Sequence, residues 1–120
     1  MLINFSKKYF PQTYNFQEKI DRNMAEVLPI GTDLDKFDWK HYFHLDTIYA
    51  WMEAMVAKHP QWLTLLDIGT STQGVPIKGL KLSKNPQNKS IFIESGIHAR
   101  EWIAPATATY ILNELLHSED

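Results

Sequence analysis

Apolar residues recur along the chain in two rhythms, one of helical period and one of short runs, and together they predict most of its elements. Leu45, Ile48, Tyr49, Met52, Met55, Val56 and His59 share one helical stripe. Asp46 is placed to cap the start of that helix, and Pro60 to stop it. Residues 63–69 and 77–83 are short runs, the first mostly apolar and the second partly alternating. The turn residues between them, Ser71-Thr72-Gln73-Gly74-Val75-Pro76, predict an antiparallel hairpin. Residues 84–89 read as an exposed loop, with Lys78, Lys81, Lys84 and Lys89 on a solvated face or edge. Residues 91–95, Ile-Phe-Ile-Glu-Ser, form a third short apolar run and are expected to be a buried strand. A final helix should begin near Glu101–Ile103, because Pro105 is tolerated only in a first turn. Ile103, Thr107, Tyr110, Ile111 and Leu115 line one of its sides, and Ala108, Leu112 and Leu116 another. A helix so broadly apolar needs cover from more than one neighbour.

Upstream, Asn15 can cap a helix start with Glu18 reaching back to it, and Phe16, Ile20 and Met24 form a narrow stripe. Leu28-Pro29-Ile30-Gly31 ends that helix, and the polar, acidic residues 32–38 read as a linker.

Composition narrows the function classes. With 120 residues, 44% hydrophobic and 22% charged, the chain has ordinary globular composition. A net charge of −2 gives no electrostatic reason to expect nucleic acid or an anionic membrane as a partner. The absence of cysteine excludes a disulfide scaffold and thiolate metal sites. There is no 18-residue apolar stretch, and the first ten residues lack the apolar core of a signal peptide.

The candidate chemistry lies between the third run and the final helix. His98 and Glu101, at i and i+3, are held where a strand is expected to become a helix. Zinc accepts such a mixed nitrogen and oxygen set, and a catalytic zinc takes three protein ligands plus an open position. The spacing alone is weak, since about 0.3 His-x-x-Glu matches arise by chance in a chain of this composition. A solvated pair on a loop is the other reading. Arg100 suits either a substrate carbonyl or carboxylate, or a salt bridge to a nearby acid. His41, His44 and His59 match no ligand spacing with one another and read as surface or helix-end histidines. His117 and Asp120 form a His-x-x-Asp pair, but about 16 helical residues place them roughly 24 Å from Glu101.

The wider stretch decides more. Residues 95–107, Ser-Gly-Ile-His-Ala-Arg-Glu-Trp-Ile-Ala-Pro-Ala-Thr, closely resemble the first zinc-ligand segment of the metallocarboxypeptidases of the pancreatic carboxypeptidase A/B type. Phe37-Asp38-Trp39, Leu45-Asp46-Thr47-Ile48-Tyr49 and Gly74-Val75-Pro76-Ile77 resemble the same family in the same order. The likeness covers residues 37–117 strongly and 14–36 more loosely. It implies an α/β fold, part of a mixed β-sheet with helices packed on its faces, with the site at the C-terminal end of a strand. It implies Zn2+ as cofactor, with His98 and Glu101 as the first two metal ligands and Arg100 as a substrate-binding residue.

By the same resemblance, residues 1–36 would be the C-terminal part of an activation segment and its linker. Residues 37–120 would be the N-terminal part of the catalytic domain. The family's third ligand, general base and specificity pocket lie further downstream, so no catalytic residue is expected within this chain. The implied activity is zinc-dependent removal of C-terminal residues from peptides and proteins, in a secreted protein activated by a trypsin-like protease after Lys36. Two rivals stand beside it: a carboxypeptidase-like binding module without catalysis, and a fragment with no function alone.

Overall fold

The computed structural model describes residues 37–118. The helix expected upstream, linker residues 32–36 and with them Lys36 lie outside the described residues; Phe37 and Asp38, expected in the linker, instead belong to a packed segment. In chain order the elements are α1 (Leu45–Lys58), β1 (Leu63–Thr70), β2 (Pro76–Leu82) and α2 (Ile103–His117). Together they are an incomplete α/β domain: two helices and a two-stranded antiparallel sheet.

The start of α1 differs from expectation. His44, extended at φ −66° and ψ 157°, occupies the N-cap position without a side-chain hydrogen bond. Asp46 sits inside the first turn, as the second residue of the helix. The helix ends as expected before Pro60, with the His59 amide donating to the Met55 carbonyl at 2.9 Å. The His59 carbonyl then accepts the amides of Trp62 and Leu63 at 3.0 and 2.9 Å, which turns the chain into β1.

The buried face of α1 is shifted from the predicted stripe. Met52 and Met55 are buried as expected, but so are Thr47 and Trp51, while Leu45 is exposed. The cause is an aromatic strap formed by residues 37–43. Phe37 stacks on Phe43 at 4.5 Å and on Trp51 at 4.9 Å, and Trp39 meets Trp51 edge-on at 6.4 Å. Each such pair contributes about 0.5–1.5 kcal/mol beyond the area it buries. Trp51, Met52, Met55, Leu63 and Leu116 form the buried core, which joins α1, β1 and the far end of α2.

The hairpin is antiparallel, running from Leu63 opposite Leu82 to Thr70 opposite Pro76, with a bulge between Asp67 and Gly69. In its turn the Ser71 amide donates to the Val75 carbonyl at 2.8 Å, and the Ser71 hydroxyl accepts from the Val75 amide at 3.0 Å. Gly74, at φ 79°, supplies the left-handed position that the turn requires. The Tyr49 hydroxyl fastens α1 to β2, donating to the Pro76 carbonyl at 2.7 Å and accepting from the Lys78 amide at 3.3 Å.

Two lysines expected on a solvated face have structural partners instead. Lys78 pairs with Glu53 and lies over the Tyr49 ring at 5.1 Å. Lys84 donates to the Ser118 carbonyl at 2.7 Å and lies over Trp62 at 5.5 Å, holding the end of α2 near the start of β1.

The third expected strand is absent: residues 91–95 form no strand. Ile91 and Phe92 are 88% and 82% exposed, so the expected burial is also corrected. A strand needs a neighbour to take its amide and carbonyl groups, and among the described residues neither β1 nor β2 lies alongside. The same shortage leaves α2 less covered than its composition requires. Thr109 and Leu116 are buried, but Ile103, Tyr110 and Leu115 are exposed.

His59 is half-buried at the end of α1, stacked on Trp62 at 5.9 Å and edge-on to His117 at 6.3 Å. Its buried Nε2 has no hydrogen-bond partner among the described residues. Burial lowers its pKa below the ordinary value of 6.5, and repulsion from Lys58 and His117 pushes the same way. The unfolded chain therefore takes up this proton at higher pH than the folded one. The contribution is intact above the ordinary value and is lost as pH falls through the folded value. Urea unfolding at a series of pH values should show stability declining below about pH 6.5, with His59→Phe flattening that decline. An identical decline in the variant would contradict the assignment.

Candidate metal centre

The loop between the extended segment and α2 is organised by its own backbone. Gly96, at φ 86°, turns the chain out of residues 91–95. The Glu101 amide donates to the His98 carbonyl at 3.0 Å, closing one tight turn between the two candidate ligands. The Trp102 indole donates to the Ala99 carbonyl at 3.0 Å, and the Ala104 amide to the Glu101 carbonyl at 2.9 Å. His98 and Glu101 are thereby presented from a single turn, both exposed, just before the first residue of α2. Glu101 lies two residues before the first residue of that helix.

An imidazole nitrogen and a carboxylate oxygen are donors that zinc accepts, so this pair fits as two of the three protein ligands of a catalytic site. Among the described residues no group of three or more His, Cys, Asp or Glu is placed to share a metal ion. His117 closes the far end of α2 with its ring Nδ1 donating to the Asn113 carbonyl at 2.7 Å, away from the turn. Arg100 is exposed, and among the described residues no ion pair engages it.

A second imidazole–carboxylate pair is formed by His41 and Asp38, 3.0 Å apart in the strap. Desolvation raises the Asp38 pKa, but hydrogen bonds from the His41 ring and the Lys40 amide outweigh it, and the net direction is down. This pair fastens the strap to itself. The sequence reading of His41 as an exposed histidine holds, but its Asp-x-x-His spacing with Asp38, which forms this pair, was overlooked.

The strap also contacts α2 and the residue just before it. The Trp39 indole donates to the Thr109 hydroxyl at 3.2 Å and its ring meets Tyr110 edge-on at 5.5 Å. Tyr42 meets Trp102, the residue after Glu101, edge-on at 5.9 Å. Sequence patterning missed both contacts; the only signal was the aromatic density of residues 37–43.

A hairpin and two helices around a core, with a mixed nitrogen and oxygen pair at a helix start, make up an incomplete α/β domain. Comparison with known proteins agrees. The zinc carboxypeptidase family model (Peptidase_M14) matches residues 48–120, and the chain belongs to that family. Zinc carboxypeptidase A 1 of Anopheles gambiae is 54% identical over 84 residues, covering 70% of this chain and 19% of its own length. The protein of the same name from Drosophila melanogaster is 39% identical over 118 residues, covering 93% of this chain and 27% of its own. The crystal structure of thrombin activatable fibrinolysis inhibitor superposes with a TM-score of 0.69 at 30% identity, over 83% of this chain and 25% of that one. The chain thus spans between 19% and 27% of the length of these relatives.

Gly96 is the backbone hinge of the candidate centre. Its positive φ is one that L side chains rarely adopt, although the space where a Cβ would sit is open. Gly96→Ala should therefore destabilise the protein by about 1–2 kcal/mol through backbone strain alone, and Gly96→Asn by less. Denaturant unfolding of the two variants checks this, and equal effects would contradict it.

Proposed function

We propose that this chain is the front portion of a zinc-dependent exopeptidase that removes C-terminal residues from peptides and proteins. The observation that carries the reading is the single hydrogen-bonded turn that presents His98 and Glu101 together, in a chain of the zinc carboxypeptidase family. His98 and Glu101 would hold the zinc. When bound, the metal polarises the scissile carbonyl and lowers the pKa of a water molecule. Arg100, exposed between the two ligands, would hold a carbonyl or carboxylate of the substrate peptide.

Residues 1–36 are proposed to be the end of an activation segment and its linker, and residues 37–120 the front of the catalytic domain. Phe37 stacks on Trp51 in the core, which supports counting it with the catalytic domain. The parent protein is then a secreted zymogen, and a trypsin-like protease cleaving after Lys36 would release the domain. Taken alone, the 120 residues are proposed to be inactive, since two ligands do not make a catalytic zinc site and a proton acceptor is also required.

Zinc titration by calorimetry tests this reading. The isolated chain should bind zinc weakly, and the full-length parent tightly and one to one. In the parent, His98→Ala or Glu101→Ala should weaken zinc by more than about 100-fold, since even partners outside the ligand set are worth 10–100-fold. Tight binding by the isolated chain that disappears in His98→Ala would contradict the two-ligand account. Unchanged affinity of the parent variants would contradict the ligand assignment itself.

A further inference from the structure

We infer that Tyr42 and Trp102 form a positioning pair that holds the His98–Glu101 turn in its ligand geometry; this rests on the zinc reading above. Both candidate ligands are exposed, and neither side chain is held by a hydrogen bond among the described residues. Their relative placement therefore depends on the backbone of residues 98–102 and on whatever fixes that backbone from outside.

Within the turn, one amide hydrogen bond joins the two ligand residues, from Glu101 to His98. The second tie is a side chain: the Trp102 indole N–H reaches back over the turn to the Ala99 carbonyl at 3.0 Å. The indole thus clamps the Ala99–Arg100 peptide unit, between the two ligand residues, while its own backbone follows Glu101. A clamp of this kind orients ligands only if the indole is itself fixed. Trp102 is half-buried, and Tyr42 meets its ring edge-on at 5.9 Å, with the planes at 80°.

Tyr42 in turn belongs to the strap, which is anchored at several points. Phe43, its neighbour, stacks on Phe37, and Phe37 stacks on Trp51 in the core. Trp39 is tied to Thr109 and Tyr110 of α2. A path therefore runs from the core through the stacked rings of Phe37 and Phe43, across the backbone bond from Phe43 to Tyr42, and through the Tyr42 ring to Trp102 and the turn. The start of the domain is fastened to the candidate centre about 60 residues downstream without touching either ligand. The contact uses the ring of Tyr42, and the clamp uses the N–H of Trp102. These are separate chemical requirements and can be removed separately.

The test uses the full-length parent protein and reads zinc affinity by competition with a chromophoric chelator. Trp102→Phe keeps an aromatic ring against Tyr42 and deletes the N–H, and should raise the zinc dissociation constant about three- to tenfold. Tyr42→Leu should weaken zinc over a similar range. Tyr42→Phe, which keeps the ring, should restore the original affinity. Cobalt-substituted protein supplies a readout independent of turnover: its visible bands should shift in Trp102→Phe and Tyr42→Leu and stay in place in Tyr42→Phe.

Thermal unfolding of the metal-free variants separates positioning from general stability, since a purely structural role would lower the midpoint and leave the cobalt bands unmoved. If Tyr42→Leu does not fold, Trp102→Phe decides alone. His98→Ala, measured in parallel, separates the two levels of the account. If it fails to weaken zinc, the ligand reading falls. If it weakens zinc while Trp102→Phe leaves affinity and cobalt bands unchanged, the positioning pair alone is overturned.

Discussion

The seat of Phe37 and Trp39 against Trp51 is the constraint on which the rest of the described structure depends. It orients α1 so that Trp51, Met52 and Met55 face inward, where they meet Leu63 at the start of the hairpin and Leu116 near the end of α2. Aromatic rings suit this task because each buries a large area with few torsions to immobilise, and edge-on contacts fix direction as well as distance. With α1 oriented, the Tyr49 hydroxyl fastens the hairpin and the Trp39 indole fastens α2. The start of α2 then presents the turn that carries His98 and Glu101.

What this framework leaves open is as informative as what it closes. Ile91, Phe92, Ile93 and Ile97 are exposed in the stretch leading to the candidate centre, and Ile103 and Tyr110 are exposed just after it. Isolated exposed apolar residues are ordinary, but a contiguous group of this kind marks a surface that normally has a partner. The chain spans only 19–27% of the length of its relatives from Anopheles gambiae and Drosophila melanogaster. A segment with strand-forming residues and no neighbouring strand agrees with that fraction. The candidate ligands thus sit at the boundary between a packed part and an uncovered one.

Much of this was legible from residue patterns. The hairpin followed from two short runs around Ser71–Val75, and both helices from their apolar spacing together with Pro60 and Pro105. The α/β class and the family followed from residues 95–107 together with the ordered upstream segments. Strand pairing at residues 91–95 was not recoverable, because an apolar run records a preference for burial and not the presence of a neighbour. The α1 start was misread at Asp46 because a capping residue and a first-turn acid look alike in sequence. Trp51 was missed because its partners, Phe37 and Trp39, lie in a segment with no periodicity. The Tyr42–Trp102 contact was hidden for the same reason, since no local pattern links residues so far apart.

The central claim is that the turn at residues 98–101 is half of a zinc site. Crystals of the zinc-loaded full-length protein, measured on both sides of the zinc absorption edge, test it most directly. The account predicts one anomalous peak bonded to a ring nitrogen of His98 and a carboxylate oxygen of Glu101, each at about 2.0–2.2 Å. A zinc peak at other residues, with His98 and Glu101 both turned to solvent, would contradict it.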